Sequence, residues 1–212
     1  MQILSSTEIF SETGLLKQAA EFAGRSYEYR VQQQEMAEAV EKSLLFSSKT
    51  VIEAPTGTGK SFAYLVPAIN HAISTGKPVV ISTETISLQE QIISKDIPAI
   101  QQALGIELKA VLAKGRGNYL CMRRMNSAAS RNMDYLPSDD LIPEIDQIYY
   151  WSKTAETGCK SELNFKVAPE AWSAVNSEEG NCLNQACPFY KPCFFQNSRR
   201  QLREAQIIVA NH

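Results

Sequence analysis

The first half of the chain alternates between segments with helical spacing and short runs of β-forming residues. Apolar residues recur at helical spacing in residues 31–46, and two further helices are predicted over residues 62–73 and from 87 to about 104. Runs typical of buried strands cover residues 50–54, 78–82 and 108–112. Strands that alternate with helices indicate an α/β fold, in which a parallel sheet has helices on both faces.

The pattern changes after Ala113. Strand signals vanish, polar residues and glycines become frequent, and all five cysteines fall in the part that follows. A β-rich run, Ala-Gln-Ile-Ile-Val-Ala, returns at residues 205–210. We therefore predict that residues 1–113 and 204–212 belong to one sheet domain, and that residues 114–203 form a mainly helical insertion.

Composition narrows the class of protein. A hydrophobic content of 44% over 212 residues is enough to bury a core, and a net charge of -2 excludes the uniformly basic surface of a non-specific nucleic-acid coat. The chain shows neither a basic and apolar leader nor a long apolar run, so we expect a cytoplasmic protein. Cytosolic thiols are kept reduced, so clustered cysteines there indicate metal or redox chemistry.

Residues 54–61, Ala-Pro-Thr-Gly-Thr-Gly-Lys-Ser, fit the phosphate-binding loop except that alanine replaces the first glycine. Gly57 and Gly59 let backbone N–H groups crowd around phosphate oxygens. Lys60 neutralises the charge of the β- and γ-phosphates, and Ser61 offers a hydroxyl to Mg²⁺. A helix that starts near Lys60 adds the positive end of its dipole. The alternative is a tight glycine turn with an exposed lysine.

Four of the five cysteines are spaced as a metal site. Three are close together, as Cys182-x₄-Cys187-x₅-Cys193, and Cys121 lies far upstream. Four thiolates suit an iron–sulfur cluster or tetrahedral zinc. Structural zinc usually uses two short cysteine pairs, and Cys121 has no such neighbour, so the spacing favours iron–sulfur. The alternative is a set of buried structural thiols, and Cys159 is left out of the predicted ligands.

Basic residues flank the cysteines on both sides. Such runs are usually solvated faces, but aromatic neighbours such as Phe194 suit the stacking of single-stranded bases. A further aromatic group at residues 149–151 is predicted to lie in the core of the insertion. The basic residues are Lys114, Arg116, Arg123, Arg124 and Arg131 before the cluster of three cysteines, and Arg199, Arg200 and Arg203 after it.

These motifs, in this order, resemble the XPD/DinG branch of superfamily 2 DNA helicases, and look closest to its bacterial DinG-like members. Arg30-Val31-Gln32-Gln33 resembles the Q motif and residues 53–61 resemble motif I. The remaining matches are residues 82–85 and 88–91 for motif Ia, 114–121 and 182–195 for the two ends of the iron–sulfur domain, and 207–212 for the strand ending in Asn-His ahead of motif II.

The resemblance implies a RecA-like motor domain interrupted by a [4Fe–4S] domain. In that family ATP hydrolysis drives 5′-to-3′ movement on single-stranded DNA, so the expected partners are ATP, Mg²⁺ and single-stranded or forked DNA. The resemblance also implies a role in DNA repair. The protein is expected to be a monomer and to have no membrane as a partner. Gln33 would read adenine, and Lys60 and Ser61 would be catalytic.

The resemblance also implies three sets of site residues. The ATP set is Arg30, Gln33, Thr56, Gly57, Thr58, Gly59, Lys60 and Ser61. The cluster set is Cys121, Cys182, Cys187 and Cys193. The DNA set is Thr83, Thr85, Gln89, Lys114, Arg116 and Tyr119.

In the family, the acidic motif II follows shortly after the Asn-His, whereas this chain ends at His212. We therefore expect the segment by itself to bind nucleotide weakly, to hydrolyse it poorly and not to unwind DNA, because phosphoryl transfer needs a carboxylate that holds the metal. Two alternatives stay open: a nucleotide-dependent switch or DNA-binding module without helicase activity, and a protein with zinc in place of iron–sulfur.

Overall fold

A computed structural model describes residues 4–24, 26–130 and 138–211. The chain divides into two units: unit 1 comprises Met1–Ala113 and Glu204–His212, and unit 2 comprises Lys114–Arg203. Within the described ranges no helix is both long enough and apolar enough to cross a bilayer.

Unit 1 contains a sheet of three parallel strands, β1 (Val79–Thr83), β2 (Ala110–Ala113) and β3 (Ile207–Asn211). The strand order is β1-β3-β2, so the last strand of the chain lies between the other two. Ile207 of β3 is in register with both Val79 and Ala110. The strands predicted over 78–82, 108–112 and 205–210 are confirmed with shifts of one or two residues at their ends.

The prediction of a strand at residues 50–54 is wrong. This segment has no regular structure, and none of the described residues pairs with it. Val51 is 99% exposed, so its side chain has no sheet face or core to pack against. A β-rich sequence favours a strand only where a neighbouring strand accepts its hydrogen bonds and a core covers one face.

Helices account for most of unit 1, and the three predicted ones are confirmed. The segment predicted from 87 to about 104 is helical throughout, but a π-helical turn, Ile92–Asp96, interrupts it. The helices are α1 (Ser6–Phe10), α2 (Leu15–Phe22), α3 (Val31–Leu45), α4 (Lys60–Thr75), α5 (Ile86–Gln91) and α6 (Ile97–Leu104).

The core of unit 1 forms between α4 and the sheet. Leu65 and Ile69 lie one turn apart on α4, and both are fully buried. They belong to the same apolar cluster as Ile207 and Val209 of β3 and Ile100 of α6. This packing fixes the start of α4, and therefore the loop that precedes it, relative to the sheet.

Unit 2 is mainly helical, and two isolated β-bridges join its first segment to the rest. Tyr119 pairs with Cys159, and Leu120 pairs with Asn176. The helices are α7 (Met122–Ala129), α8 (Ile142–Trp151), α9 (Pro169–Val175) and α10 (Phe194–Arg203). The main apolar cluster of this unit includes Leu120, Met125, Ile145, Ile148 and Trp172.

The prediction that residues 149–151 lie in the core of the insertion is wrong for one of the three. Tyr149 and Trp151 pack against the main cluster of unit 2. Tyr150 is 73% exposed, because successive helical positions point in directions about 100° apart and only neighbouring faces reach the core.

Candidate functional site

The residues of the predicted phosphate loop form a turn that ends at the first residue of α4. Gly57 has φ of 86° and Gly59 has φ of 78°, both in the left-handed region that favours glycine. Gly59 is the N-cap of α4, and the first bond of the helix runs from the Ala63 N–H to the Gly59 carbonyl. The N–H groups of Lys60, Ser61 and Phe62 therefore have no partner inside the helix and are oriented toward the turn.

Two side chains of the loop bond to its own backbone. The Thr58 hydroxyl donates to the Pro55 carbonyl at 2.6 Å. The Lys60 ammonium donates to the carbonyls of Ala54 and Pro55 at 2.9 and 3.3 Å. The positive charge of Lys60 thus lies over the same turn as the free N–H groups, while the Thr56 side chain is exposed. An anion at this turn would meet a lysine and a helix N-terminus together.

The start of α3 is bonded directly to this loop. The Arg30 guanidinium donates to the Gly57 carbonyl at 2.6 Å, and the Gln33 amide donates to the Gly59 carbonyl at 2.9 Å. A Cβ placed on Gly59 would collide with the Gln33 amide, so close approach as well as φ requires glycine there. The two Q-motif residues therefore lie at the phosphate loop, as part of one hydrogen-bonded group.

Gln33 also lines a cavity of about 450 Å³ in unit 1. The walls are mostly apolar and include Tyr27, Phe62 and residues of α2 and α6. A cavity of this size with two amides, Gln33 and Gln102, among apolar side chains has the composition of a site for a small planar ligand.

The three residues predicted on the DNA path in unit 1 lie near the ends of β1 and β3. Gln89 is 2% exposed, and its amide donates to the Val209 carbonyl at 3.1 Å. Thr83 is also buried, and its hydroxyl donates to the Thr85 carbonyl at 3.2 Å. Thr85 is exposed, and its hydroxyl caps α5 by accepting from the Leu88 N–H. Of these three, only Thr85 presents its side chain to solvent.

The four cysteines predicted to bind a metal line one pocket in unit 2. Cys121 is the N-cap of α7, Cys193 directly precedes α10, and Cys182 and Cys187 come from the loop between α9 and α10. The pocket has a volume of about 20 Å³. Among the residues that the structure describes, no three cysteine, histidine, aspartate or glutamate side chains are close enough to bind one metal ion.

The thiols of this pocket have different environments. Burial raises the pKa of Cys193, and the neighbouring sulfurs of Cys121 and Cys182 add to the increase. Burial also acts to raise the pKa of Cys182, but a backbone hydrogen bond from Asn184 and the nearby Arg116 guanidinium outweigh it and lower the pKa. Cys159 does not line the pocket and is buried beside Tyr119 and Phe195.

The residues predicted to contact DNA in unit 2 are less accessible than expected. Tyr119 is 5% exposed and packs edge-to-face on Phe195, with ring centroids 5.9 Å apart. Arg116 lies over the Phe195 ring at 4.0 Å, and the Lys114 ammonium donates to the Ser161 hydroxyl at 2.8 Å. In contrast, the α10 residues Arg199, Arg200 and Arg203 are exposed. Arg131 and His212 lie outside the described residues.

Two residues with a positioning role were absent from the predicted set. The Asn211 amide donates to the carbonyls of Thr83 and Glu84 at 3.0 and 2.7 Å, and so holds the end of β3 to the end of β1. Arg124 is buried beside Cys121 and was predicted only as part of a basic run. Its spacing of three residues from Cys121 on a helix was the available signal, because such residues share a face.

Comparison with known proteins places this chain among helicases. Residues 29–129 match the DEAD/DEAH box helicase family. The ATP-dependent DNA helicase YoaA of Haemophilus influenzae is 35% identical over 209 residues, which are 96% of this chain and 30% of that protein. The ATP-dependent helicase DinG of Mycobacterium tuberculosis is 37% identical over 196 residues, 85% of this chain and 30% of the relative.

A third relative is the ATP-dependent DNA helicase DinG of Escherichia coli, which is 32% identical over 203 residues, covering 86% of this chain and 28% of the relative. The chain thus spans less than a third of the length of these relatives, while most of its own residues are matched. The chain belongs to the DEAD/DEAH box helicases, and within them it is a DinG-like member.

Proposed function

We propose that this chain is the nucleotide-binding part of an ATP-driven DNA helicase. The observation that carries the proposal is the bonding of Arg30 and Gln33 to the carbonyls of Gly57 and Gly59. These bonds join the two residues of the Q motif to the phosphate loop, which itself ends at Lys60. The relatives from Haemophilus influenzae and Escherichia coli are ATP-dependent DNA helicases, and this activity extends to the present chain as a proposal.

In this proposal the triphosphate binds over the turn that precedes α4. The free N–H groups at the start of α4 bind phosphate oxygens, and Lys60 neutralises the β- and γ-phosphate charge. Ser61 supplies a hydroxyl ligand to Mg²⁺. Thr56, Gly57, Thr58 and Gly59 shape the turn. The adenine ring enters the cavity beside Gln33, where apolar walls and the amides of Gln33 and Gln102 match a planar base.

The four-cysteine pocket is proposed to hold a [4Fe–4S] cluster. The donor set fits, since Cys121, Cys182, Cys187 and Cys193 supply four thiolates to one pocket. The free volume of about 20 Å³ is room for about one water, so the cysteine side chains must turn outward to admit a cluster. When bound, such a cluster supplies a rigid cross-link between distant segments and a site of one-electron chemistry.

Single-stranded or forked DNA is the proposed substrate, with movement in the 5′-to-3′ direction. The exposed Arg199, Arg200 and Arg203 of α10 supply phosphate contacts in unit 2, and the exposed Thr85 supplies one in unit 1. Lys114 and Arg116 are proposed as further contacts. Thr83, Gln89 and Tyr119 are buried, so we assign them to the support of the DNA surface.

Nucleotide binding is tested by replacing Lys60. We expect Lys60→Ala to raise the dissociation constant for a fluorescent ATP analogue at least about tenfold, or about 1.4 kcal/mol, because the phosphates lose their only lysine in the loop. Lys77→Ala is the matched control, since Lys77 is exposed and follows the same helix without contacting the loop. Unchanged ATP affinity in Lys60→Ala, with its circular dichroism spectrum intact, would remove the phosphate-loop assignment.

The metal is tested on the same chain purified without oxygen. We expect equal amounts of iron and acid-labile sulfide, together with the broad visible absorbance of an iron–sulfur cluster. A colourless chain with stoichiometric zinc would replace the cluster by a structural zinc site.

A further inference from the structure

Arg124 is a charged residue in the interior of unit 2. It is 8% exposed, although arginine is almost never fully buried unless it is paired. It lies on α7 three residues after Cys121, so the two side chains share one face of the helix start. Both of them line the four-cysteine pocket.

The Arg124 guanidinium binds the last turn of α9 and the segment that follows it. One nitrogen, Nη1, donates to the Asn176 backbone carbonyl at 2.9 Å and to its side-chain oxygen at 3.0 Å. The other, Nη2, donates to the Ser173 carbonyl at 2.8 Å. A carboxylate oxygen of Glu178 lies 3.0 Å from Nη1. Arg124 therefore neutralises the negative end of α9 and an acidic residue just beyond it.

Arg123, the residue before Arg124, makes a further contact close to Cys182. Arg123 donates to the Asn181 carbonyl at 2.5 Å, and Asn181 directly precedes Cys182. The Asn181 amide donates to Glu178 at 2.7 Å, so the two arginines reach one continuous hydrogen-bonded segment. The two residues that follow Met122 thus bind the residues between α9 and Cys182.

One donor of Arg124 remains without a partner. Its Nε is buried and has no hydrogen-bond acceptor in the described part of the chain. A buried donor without an acceptor is destabilising, so its position beside a pocket of four thiols indicates an acceptor within that pocket. Thiolate sulfur is such an acceptor, and it is anionic.

We propose that Arg123 and Arg124 form a clamp that holds Cys121 next to Cys182 before any metal binds, with Arg124 as the principal positioning residue. Without the clamp, each metal-binding event would have to close the long loop between these two cysteines and order it. With it, the arginine contacts hold that loop closed in the metal-free chain. The inference rests on the proposed cysteine site, and it adds the residues that assemble it.

The clamp is tested on the metal-free chain with a short thiol cross-linker, and the linked peptides are identified by mass spectrometry. We expect the Cys121–Cys182 cross-link to form readily in the unaltered chain and to fall at least about tenfold in Arg124→Met, because several charge-assisted hydrogen bonds are lost. Arg124→Lys keeps the charge and should retain an intermediate yield. Cys187 and Cys193 lie in one loop whose arginine contact comes from Arg200 and not from Arg123 or Arg124, so their cross-link should stay unchanged.

Lys166→Met is the matched control, since Lys166 is an exposed cation of the same unit and has no role in the proposed sites. If Arg124→Met fails to fold, Glu178→Gln serves as the milder variant and should lower the same cross-link by a smaller factor. Unaltered Cys121–Cys182 cross-linking in Arg124→Met, or an equal fall of the Cys187–Cys193 cross-link, would overturn the clamp. Neither result depends on which metal the chain binds. Cross-linking therefore tests the clamp, and iron and sulfide content tests the cluster, so either proposal can be contradicted without the other.

Discussion

Side chains near the phosphate loop hold it mainly by donating hydrogen bonds to its backbone carbonyls. Arg30, Gln33 and Lys60 each donate to a carbonyl of residues 54–59. Gln89 also donates to a backbone carbonyl, that of Val209 in β3. The contacts of Arg30, Gln33 and Lys60 therefore hold the loop in shape in the ligand-free chain.

At the same scale, motif spacing predicted the backbone geometry of the loop better than it predicted which side chains are exposed. The lysine and glycines of the loop lie where the motif requires them. Tyr119 and Gln89 were predicted on a DNA surface but are buried. Sequence does not reveal whether a polar or aromatic side chain turns inward, because that depends on partners that are distant in the chain.

Glu162 is a residue whose charge holds a loop of unit 2. Its carboxylate accepts hydrogen bonds from the backbone N–H groups of Glu156, Thr157 and Gly158 at 2.6, 2.9 and 3.0 Å. Burial acts to raise the pKa of Glu162, but these bonds and the Thr157 hydroxyl outweigh it and lower the pKa below its usual value of 4.5. A lowered folded-state pKa contributes stability above 4.5, and this contribution is lost as the pH falls through the folded-state value.

We therefore expect Glu162→Gln to destabilise unit 2 at about pH 7, by about 1 kcal/mol after allowance for solvent screening. The difference in melting temperature from the unaltered chain should shrink at an acidic pH below the lowered folded-state pKa of Glu162, because the carboxylate is then protonated. Glu156→Gln is the control, because the Glu156 side chain is exposed. A difference that is the same at both pH values would show that shape, and not charge, accounts for the effect.

At the scale of elements, the centre of the sheet comes from the end of the described chain. β3 pairs with β1 on one side and with β2 on the other, so unit 1 has no three-stranded sheet until the chain has passed through unit 2. Parallel pairing between distant segments carries a loop-closure cost that local helices do not. The side-chain bonds at the end of β3 are therefore expected to matter for stability.

Asn211→Ala tests this expectation. The variant loses two hydrogen bonds to the carbonyls of Thr83 and Glu84, and we expect it to lower the free energy of unfolding by about 1–2 kcal/mol. Urea denaturation measures the loss, and amide hydrogen exchange should accelerate at residues 83–85. Asn164→Ala replaces an exposed asparagine and should change neither quantity. Equal stability of Asn211→Ala and the unaltered chain would contradict the role of this side chain.

At the scale of the whole molecule, two apolar cores are built from different residues. The core of unit 1 contains residues of α4 and β3, and that of unit 2 contains residues of α7, α8 and α9. Metal binding at the cysteines would add stability to unit 2, since a site that forms only in the folded state couples metal affinity to folding.

Cys187→Ser should consequently lose iron and accelerate hydrogen exchange within residues 114–203, while exchange in α4 and β3 stays close to that of the unaltered chain. The reason is that four thiolates are needed for the cluster and the two cores share no residues. Cys159→Ser, outside the pocket, should keep its iron. Full iron content in Cys187→Ser would remove this residue from the proposed ligands.

The sequence by itself determined the local features of this protein: the three main helices of unit 1, its three paired strands, the glycine-rich turn and the DinG-like order of motifs. These follow from periodicity and from residue types that act over a few positions. Only the tertiary structure decided that residues 50–54 form no strand, that Gln89 and Tyr119 are buried, and that Arg124 binds inward to the cysteine pocket. Each of these outcomes depends on which distant segments pack together, and that is a property of the folded chain as a whole.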